Sequence, residues 1–502
     1  MRVWPPTGFS VGKRRPTLST SPLQRPDRRC DILVVGAGAA GLLAALASRG
    51  VLGEDGGDLP LRPDAPDVVL LNNESRIGLK ILVSGGGRCN VTNAHVDERD
   101  YESDAPHLVR RLLRGFPPAS IRNFFETRDC PLYEEALGKV FPRSDAAKDV
   151  LRVLLEAIER AGIPLLAPAE VVDLEPAESA MKVRLATGEA WTASEVILAT
   201  GGKSLPKTGS RGLGLLLLAK LGHDLAPALP GLAPLLLEPT SPLRGLAGLT
   251  VPAVLTLAPA SSSPAQLAGK NFKPIARAGG SLLVTHKGAT GPAPFDVSGP
   301  CGRAISTGAV ALRGDFWSLT RPDGAWGPYL HLPKAPGASL PWADVPRPPT
   351  QREFEQQAAT QLAKRNRGLG HAFSSRIPRS LLQRLLQDAD LDPSQPLKQL
   401  DAKARTRLWL AVTQTDLQLA ACEGYAKAEV THGGVRLQEL SPATLESRRR
   451  EHLFCCGEVV NVTGRLGGFN FQWAWSSGFA AGRGAARRSS RPRPSPKRFG
   501  EA

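Results

Sequence analysis

Residues 31–50, DILVVGAGAAGLLAALASRG, decide the fold. A strand-like run at 31–35, apolar after Asp31, leads into glycines at positions 36, 38 and 41, and Leu and Ala then recur at helical spacing. This order predicts a buried strand, a tight turn and a helix, the arrangement that binds the pyrophosphate of a dinucleotide. Gly36 permits the turn, Gly38 lets the backbone approach the phosphates, and Gly41 lets the helix pack on the strand.

Length and composition favour a large multidomain protein inside the cell. The chain has 502 residues, enough for two or three domains. The chain contains no run of roughly 18 or more consecutive apolar residues, so the sequence predicts no membrane-spanning helix. Seven cysteines are scattered without CxxC or zinc-like spacing, so we expect a reducing compartment and no metal site. The N-terminal stretch also lacks the apolar core of a secretory signal, which favours the cytoplasm.

The net charge of +16 is concentrated at the two ends of the chain. Residues 1–29 and 483–502 each hold seven Lys or Arg and one acidic residue. Their Pro, Ser and Arg content predicts disordered basic tails at 1–29 and 486–502. Such tails are either merely solvated or make weak electrostatic contact with RNA, whereas the nearly neutral body predicts no basic groove.

The order of elements predicts an α/β protein whose first domain is interrupted. Strand and helix signals alternate over 30–224 and return over 427–485, so we assign both ranges to one Rossmann-type domain. Residues 225–345 are rich in Pro and Gly with short apolar runs, which predicts a small β-rich insert. Helical periodicity then predicts a helical insert at 346–426.

Further glycine clusters at 84–93 and 199–214 favour FAD as the nucleotide. Such clusters let backbone amides approach a flat ring or a phosphate closely. One nucleotide-binding fold with several such glycine loops suits FAD better than NAD, because the long FAD molecule extends across a domain. In flavoprotein folds a carboxylate after the last strand holds a ribityl hydroxyl, and Glu458 is the candidate. The helix that begins near Phe471 to Trp473 would present its N-terminus to the flavin pyrimidine.

The predicted second strand ends at Asn72, where a Rossmann site usually carries an acidic residue that grips the ribose. An amide can still hydrogen-bond a ribose hydroxyl, although without charge assistance. The residues expected to bind the cofactor are Gly36, Gly38, Ala39, Ala40, Gly41, Asn72, Lys80, Gly86, Gly87, Arg88, Asn90, Thr200, Gly201, Gly202, Gly457, Glu458, Gly467, Gly468, Phe469, Asn470 and Phe471.

Three side chains are candidates for a catalytic proton donor, and each has a plain structural alternative. Cys89 could lie against the flavin as a proton donor or redox partner, or it could simply pack in the core. His286 and His432 could donate a proton because the pKa of histidine is near neutral, or they could be surface or packed residues.

The motifs VGAGAAG, ILVSGGGRCNVTN, ATGG, THKGATGP, VTHGGV and GRLGGFNFQWAWSSG occur in one order along residues 30–485. In this order the chain resembles the BaiN/RdsA-type bacterial flavoproteins, also called aminoacetone-oxidase-like or insert-domain flavoproteins. The resemblance implies FAD, a Rossmann-type domain with a β-barrel-like and a helical insert, and reduction of an unsaturated substrate. The chain departs from the family at Asn72, Asn461 and Thr463, where carboxylates are usual.

We therefore predict an FAD-dependent oxidoreductase that transfers hydride between NAD(P)H, the flavin and an unsaturated substrate, most simply by reducing a C=C bond. A small molecule is the expected substrate. One alternative is a ribosomal RNA uridine reductase that forms dihydrouridine, with the basic tails contacting RNA. The other is a non-catalytic FAD-binding or redox-sensing protein. The oligomeric state and the choice of nicotinamide are not fixed by the sequence.

Overall fold

The computed structural model describes residues 28–320, 340–362 and 368–490. Most of both predicted tails lies outside these ranges. Residues 486–489, which the sequence assigned to the C-terminal tail, belong instead to the last helix, which continues to Ser489. Arg488 in that helix forms ion pairs with Glu446 and Glu451, and these contacts hold the last helical turn on the domain.

The first part of the chain alternates strands with helices. The strands are β1 (Arg29–Val35), β2 (Val68–Leu71), β3 (Thr92–Asn93), β4 (Tyr101–Ser103), β5 (Leu132–Glu134), β6 (Lys139–Pro142), β7 (Leu165–Leu166), β8 (Val171–Ala177), β9 (Ala180–Leu185) and β10 (Ala190–Leu198). The helices are α1 (Ala39–Arg49), α2 (Leu79–Val83), α3 (Pro106–Gly115), α4 (Pro118–Glu126), α5 (Ala147–Arg160) and α6 (Leu213–Lys220).

The rest of the chain forms an insertion and then returns. The strands of the insertion are β11 (Leu225–Gly231), β12 (Leu235–Leu237), β13 (Thr250–Pro259), β14 (Ala276–Val284), β15 (Gly288–Thr290), β16 (Val310–Asp315), β17 (Thr415–Asp416) and β18 (Leu419–Cys422). Its helices are α7 (Pro264–Leu267), α8 (Pro292–Thr307), α9 (Gln351–Leu362), α10 (Leu369–Ala372), α11 (Arg379–Asp388) and α12 (Ala402–Thr413). The returning elements are β19 (Val430–Val435), β20 (Leu453–Cys455), β21 (Val462–Gly464) and α13 (Phe469–Ser489).

The main sheet is a parallel Rossmann-type sheet built on β1. β1 pairs in parallel with β2 and β10, β7 joins β2, and β20 joins β10 after the insertion. The antiparallel hairpin of β8 and β9 extends the sheet beside the first half of β10. All four residues of β2 are buried, as expected for a parallel strand covered on both faces. The helices α1 and α13 pack together over this sheet.

The insertion has its own antiparallel sheet, with the strand order β17-β16-β13-β14-β15-β12-β18. β17 and β18 come from the stretch that the sequence assigned to a helical insert, yet they pair with β16 and β12. Helices α8 to α12 share one apolar cluster with this sheet. The expected β-rich and helical inserts therefore have a common sheet and a common core. The antiparallel pair of β11 and β19 joins the insertion to the main domain.

No helix within the described residues is long and apolar enough to cross a membrane.

Candidate active site

A cavity of about 850 Å³ lies where the main domain meets the insertion. This volume falls in the range of about 300–1,000 Å³ that is typical of ligand sites. The ends of β1 and β10 and the starts of α1, α8 and α13 contribute to its wall. The carboxyl ends of parallel strands are where such sheets bind ligands, so the cavity has the position that the fold favours.

Residues 36–41, here called the phosphate turn, supply backbone rather than side chains to the cavity. Gly36 has φ +107°. A Cβ on Gly41 would lie 1.8 Å from the carbonyl oxygen of Gly36, so only glycine fits at this position in the first turn of α1. A Cβ on Gly38 would meet no atom within 4 Å, because that position opens into the cavity. Since α1 has neither a side-chain cap nor an acidic residue in its first turn, its N–H groups can receive a phosphate.

Asn72, at the end of β2, holds the phosphate turn in place. Its Oδ1 accepts a hydrogen bond from the Ala37 N–H at 3.1 Å, and its Nδ2 donates to the Glu74 carbonyl at 2.6 Å. Asn72 lines the cavity, but both ends of its amide are already engaged with the backbone. The departure from a carboxylate at this position therefore leaves a side chain that organises the turn.

The second glycine cluster forms a tight loop against β6. Gly85, Gly86 and Gly87 have φ values of +55°, +69° and +88°, in the left-handed region that favours glycine. Asn90 accepts a hydrogen bond from the Val140 N–H at 3.1 Å, which ties the loop to β6. The loop thus brings its own side chains beside those of a strand about fifty residues further along the chain.

Arg88, Lys139 and Phe141 form a cationic patch on the cavity wall. The Arg88 guanidinium lies 4.0 Å above the Phe141 ring centroid and pairs with Glu135 at 2.7 Å. The Lys139 Nζ lies 3.5 Å from the other oxygen of Glu135. The sequence analysis did not single out Lys139 or Phe141. A lysine one residue before an apolar VFP run carries too weak a signal to mark a site.

Glu458 is fixed at the wall by three segments of the chain. Its Oε2 lies 2.6 Å from Lys80 Nζ, and its Oε1 accepts hydrogen bonds from Ser204 Oγ and the Thr431 N–H, both at 2.9 Å. Lys80 also donates to Ser204 Oγ at 2.5 Å. Thr431 belongs to β19, so the returning chain completes the network. The result is a preordered carboxylate and ammonium facing the cavity.

The start of α13 supplies a second uncapped helix N-terminus. Gly468, with φ +95°, is the N-cap residue, and it has no side chain to cap the helix. A Cβ there would lie 2.3 Å from the Thr92 carbonyl oxygen, so the close approach requires glycine. The aromatic side chains divide in two: Phe471 and Trp473 line the cavity, whereas Trp475 is buried and donates to the Val91 carbonyl at 2.8 Å.

Most residues expected to bind the cofactor lie on the cavity wall. They are Gly36, Gly38, Ala39, Ala40, Asn72, Lys80, Gly86, Arg88, Asn90, Thr200, Gly201, Gly457, Glu458, Gly467, Gly468, Asn470 and Phe471. Gly41, Gly87, Gly202 and Phe469 lie off the wall. Gly202 is a packing residue, since a Cβ there would lie 2.3 Å from Thr431 Oγ1.

None of the three candidate proton donors lies on this wall. Cys89 is fully buried, and burial raises the pKa of its thiol to about 12. His286 is exposed at the turn between β14 and β15. His432 is buried in β19, where burial lowers its pKa and its ring fills the space beside Gly299. Residue type alone suggested these three, and the fold carries their side chains elsewhere.

The other family departures also lie off the cavity wall. Asn461 and Thr463 do not line it, and Thr463 is buried in β21 opposite Glu102.

Among the described residues, no group of three or more His, Cys, Asp or Glu side chains is arranged to hold a metal ion.

Comparisons with known proteins agree over almost the whole chain. The family model described as HI0933-like protein Rossmann domain matches residues 30–484. The ribosomal RNA dihydrouridine synthase of Escherichia coli (strain K12) is 30% identical over 458 residues, which cover 90% of this chain and 97% of that protein. The 3-dehydro-bile acid delta(4,6)-reductase of Clostridium scindens is 30% identical over 458 residues, which cover 91% of this chain and 98% of that protein.

Among solved structures, the 3-ketosteroid-delta4-(5alpha)-dehydrogenase of Rhodococcus jostii RHA1 matches with a TM-score of 0.43 and 14% identity, covering 92% of this chain and 97% of that chain. This likeness is too weak to carry any feature of that protein over to this chain.

Proposed function

The chain belongs to the HI0933-like Rossmann family, and from that premise we propose that it binds FAD in the cavity and reduces a carbon–carbon double bond conjugated to a carbonyl group. The observation that carries this proposal is the convergence of the phosphate turn, the second glycine loop and the uncapped start of α13 on one cavity. NADH or NADPH is the proposed reductant.

The residues on the wall suit the parts of FAD. The phosphate turn offers free N–H groups to the pyrophosphate, and the space beside Gly38 admits it. The Glu458 carboxylate and the Lys80 ammonium can bind ribityl hydroxyls. The uncapped N-terminus of α13 carries the positive end of a helix dipole, which would stabilise the negative charge that the flavin pyrimidine gains on reduction.

The names of two relatives indicate a shared chemistry. One forms dihydrouridine in ribosomal RNA, and the other reduces delta(4,6) double bonds of a 3-dehydro-bile acid. In both substrates the double bond is conjugated to a carbonyl, so hydride adds at the β carbon and a proton at the α carbon. FAD, when bound and reduced, supplies the hydride. The chain must bind and orient the substrate, exclude water and supply the proton.

The insertion favours a compact apolar substrate. Leu283, Pro292 and Phe295 of the insertion line the cavity and contribute apolar surface to its wall. A uridine in RNA is a second candidate, because Arg76, Arg211 and Lys427 line the cavity and are exposed to solvent. Such exposed cations are typical contacts for a phosphate backbone.

An anaerobic two-stage experiment tests the proposal. The purified holoprotein is first reduced with NADPH or NADH, and flavin absorbance is followed. A 3-oxo steroid with conjugated double bonds or a uridine-rich ribosomal RNA transcript is then added. We expect one of them to reoxidise the flavin and to gain two hydrogens per double bond by mass spectrometry. Flavin that neither nicotinamide reduces would support the non-catalytic alternative instead.

A further inference from the structure

Reduction of a conjugated double bond needs a proton donor near the α carbon. The titratable side chains on the cavity wall within the described residues are Arg76, Lys80, Arg88, Lys139, Glu170, Arg211, Lys427, Glu429 and Glu458. Arginine keeps its proton at any working pH. Glu170, Lys427 and Glu429 are partly or fully exposed to solvent. Desolvation raises the pKa of the Glu429 carboxyl and the Lys80 charge opposes that rise, but the Glu429 side chain still reaches solvent. The buried or half-buried candidates are therefore Lys80, Glu458 and Lys139.

Lys80 and Glu458 form a close ion pair with each other. Their 2.6 Å ion pair is reinforced by Ser204, which hydrogen-bonds to both side chains. Glu458 also accepts from the Thr431 N–H. A proton taken from Lys80 would leave Glu458 without its neutralising partner. This pair suits binding of the cofactor better than turnover of a proton.

Lys139 has a different environment. Its side chain is only 9% exposed, and its Nζ lies 3.5 Å from a carboxylate oxygen of Glu135. The other oxygen of Glu135 lies 2.7 Å from Arg88, so two cations share this carboxylate. A buried ammonium on a cavity wall beside a second cation is a typical functional candidate.

The charges around Lys139 favour loss of its proton. Burial lowers the pKa of the Lys139 amine, the Glu135 carboxylate opposes that shift, and the Arg88 charge adds to it. Tyr133 and Asp145 face the same cluster through Arg88. An ammonium whose pKa is lowered is a stronger acid at neutral pH and so a better general acid.

We propose that Lys139 is the proton donor of the reduction, with Arg88 as a positioning residue that holds Glu135 and stacks on Phe141. This inference rests on the proposed function. In the reduction the β carbon gains a hydride, which reduced FAD would supply when bound. The π electrons of the double bond move to the carbonyl side, and the α carbon takes the proton as one N–H bond of Lys139 breaks. The neutral amine regains a proton from solvent through Glu135, whose side chain is 27% exposed.

Stopped-flow measurements on K139M, K139R and the control K148M test the assignment. Lys148 is an exposed lysine at the start of α5, so K148M makes the same chemical change away from the cavity. We expect flavin reduction by NADPH to keep its wild-type rate in all three variants. Reoxidation by the unsaturated substrate should slow about 100-fold in K139M and K139R, because neither side chain donates a proton at neutral pH. We expect the wild-type rate to fall at high pH as Lys139 loses its proton, and this fall should be absent in both variants.

Reoxidation at the wild-type rate in both K139M and K139R would overturn the proposal. Should K139M fail to fold, K139R keeps the charge and decides alone. A wild-type protein that no unsaturated carbonyl compound reoxidises would instead refute the proposed function, a separate outcome.

A readout without turnover uses the cofactor-free protein after reductive methylation of lysines with a carbon-13 label. One dimethyl-lysine NMR signal should titrate below the others in wild type and be missing in K139R. The absence of any such displaced signal would contradict the assignment.

Discussion

The phosphate turn and the cationic patch border the same cavity but are built in opposite ways. The turn is six consecutive residues, and it offers backbone N–H groups and empty space. The patch is three side chains from two segments about fifty residues apart, held by a shared carboxylate, Glu135. A site built of backbone is encoded locally, whereas a site built of side chains exists only once the sheet has formed.

This difference separates binding from chemistry. On the proposed function the turn would bind the dinucleotide phosphates, so its damage should lower the cofactor content. The patch, if it faces the substrate as proposed for Lys139, should on damage lower turnover while the cofactor stays bound.

The largest effect is expected from alanine substitutions at Gly38 and Gly41 of the phosphate turn. Gly41→Ala places a Cβ 1.8 Å from the Gly36 carbonyl oxygen, so the fold itself should lose about 1–3 kcal/mol. Gly38→Ala meets no protein atom within 4 Å and should fold normally, yet its methyl group occupies the approach of the pyrophosphate. Thermal unfolding without cofactor and FAD titration separate the two cases. A Gly38→Ala variant with normal FAD affinity would refute the phosphate turn as the binding site.

A smaller effect is expected from Asn72, which supports the same turn. Asn72→Ala leaves the buried Ala37 N–H without its acceptor, which should cost about 1–3 kcal/mol of stability. Asn72→Asp keeps that acceptor and loses only the donor to the Glu74 carbonyl, one hydrogen bond instead of two, so it should cost less. Chemical denaturation of the cofactor-free protein checks both. If the aspartate variant proves the weaker of the two, the hydrogen bond to Ala37 is not what holds the turn.

Arg88→Met tests the other side of the comparison. Removing the guanidinium loosens Glu135 and uncovers Phe141, so KM for the unsaturated substrate should rise about tenfold, equivalent to about 1.4 kcal/mol. Bound FAD per chain should stay unchanged. Arg143→Met, at an exposed arginine after β6, is the matched control. Loss of FAD together with the rise in KM would show that the patch belongs to the cofactor site.

The smallest effect concerns His432, which lies in neither region. Burial lowers its pKa, so the folded protein holds it neutral while the unfolded chain protonates it near its ordinary pKa of about 6.5. Stability should therefore fall as pH drops below that value, by less in His432→Gln than in wild type. The groups facing the ring are Glu102, Arg303 and Glu458. Melting curves from pH 7.5 to 5.5 measure this, and identical slopes would contradict it.

The sequence predicted the Rossmann-type fold because its signals are local. Glycine spacing, an apolar strand and a helical repeat all occur within residues 31–50, and the same kind of signal marked the return of the domain over 427–485, where β20 joins β10. The pairing of β17 and β18 with the β-rich insert was not foreseen, because these strands are two and four residues long beside strong helical periodicity. Short strands take their partners from the tertiary fold.

The same reasoning explains the failure with proton donors. Cys89, His286 and His432 were chosen by residue type, and the fold buries two of them off the cavity wall and exposes the third. Lys139 was overlooked because its place depends on β6 packing beside the second glycine loop through Asn90. Nothing in the residues around Lys139 encodes that contact.

The most direct test is the flavin content of the purified wild-type protein and its Gly38→Ala variant. We predict about one FAD per chain in the wild-type protein, identified by mass after denaturation. The Gly38→Ala variant should fold well and retain almost no FAD. A wild-type protein that is colourless and cannot be reconstituted with FAD, or a variant that binds FAD as tightly as wild type, would contradict the assignment of the cavity to the cofactor.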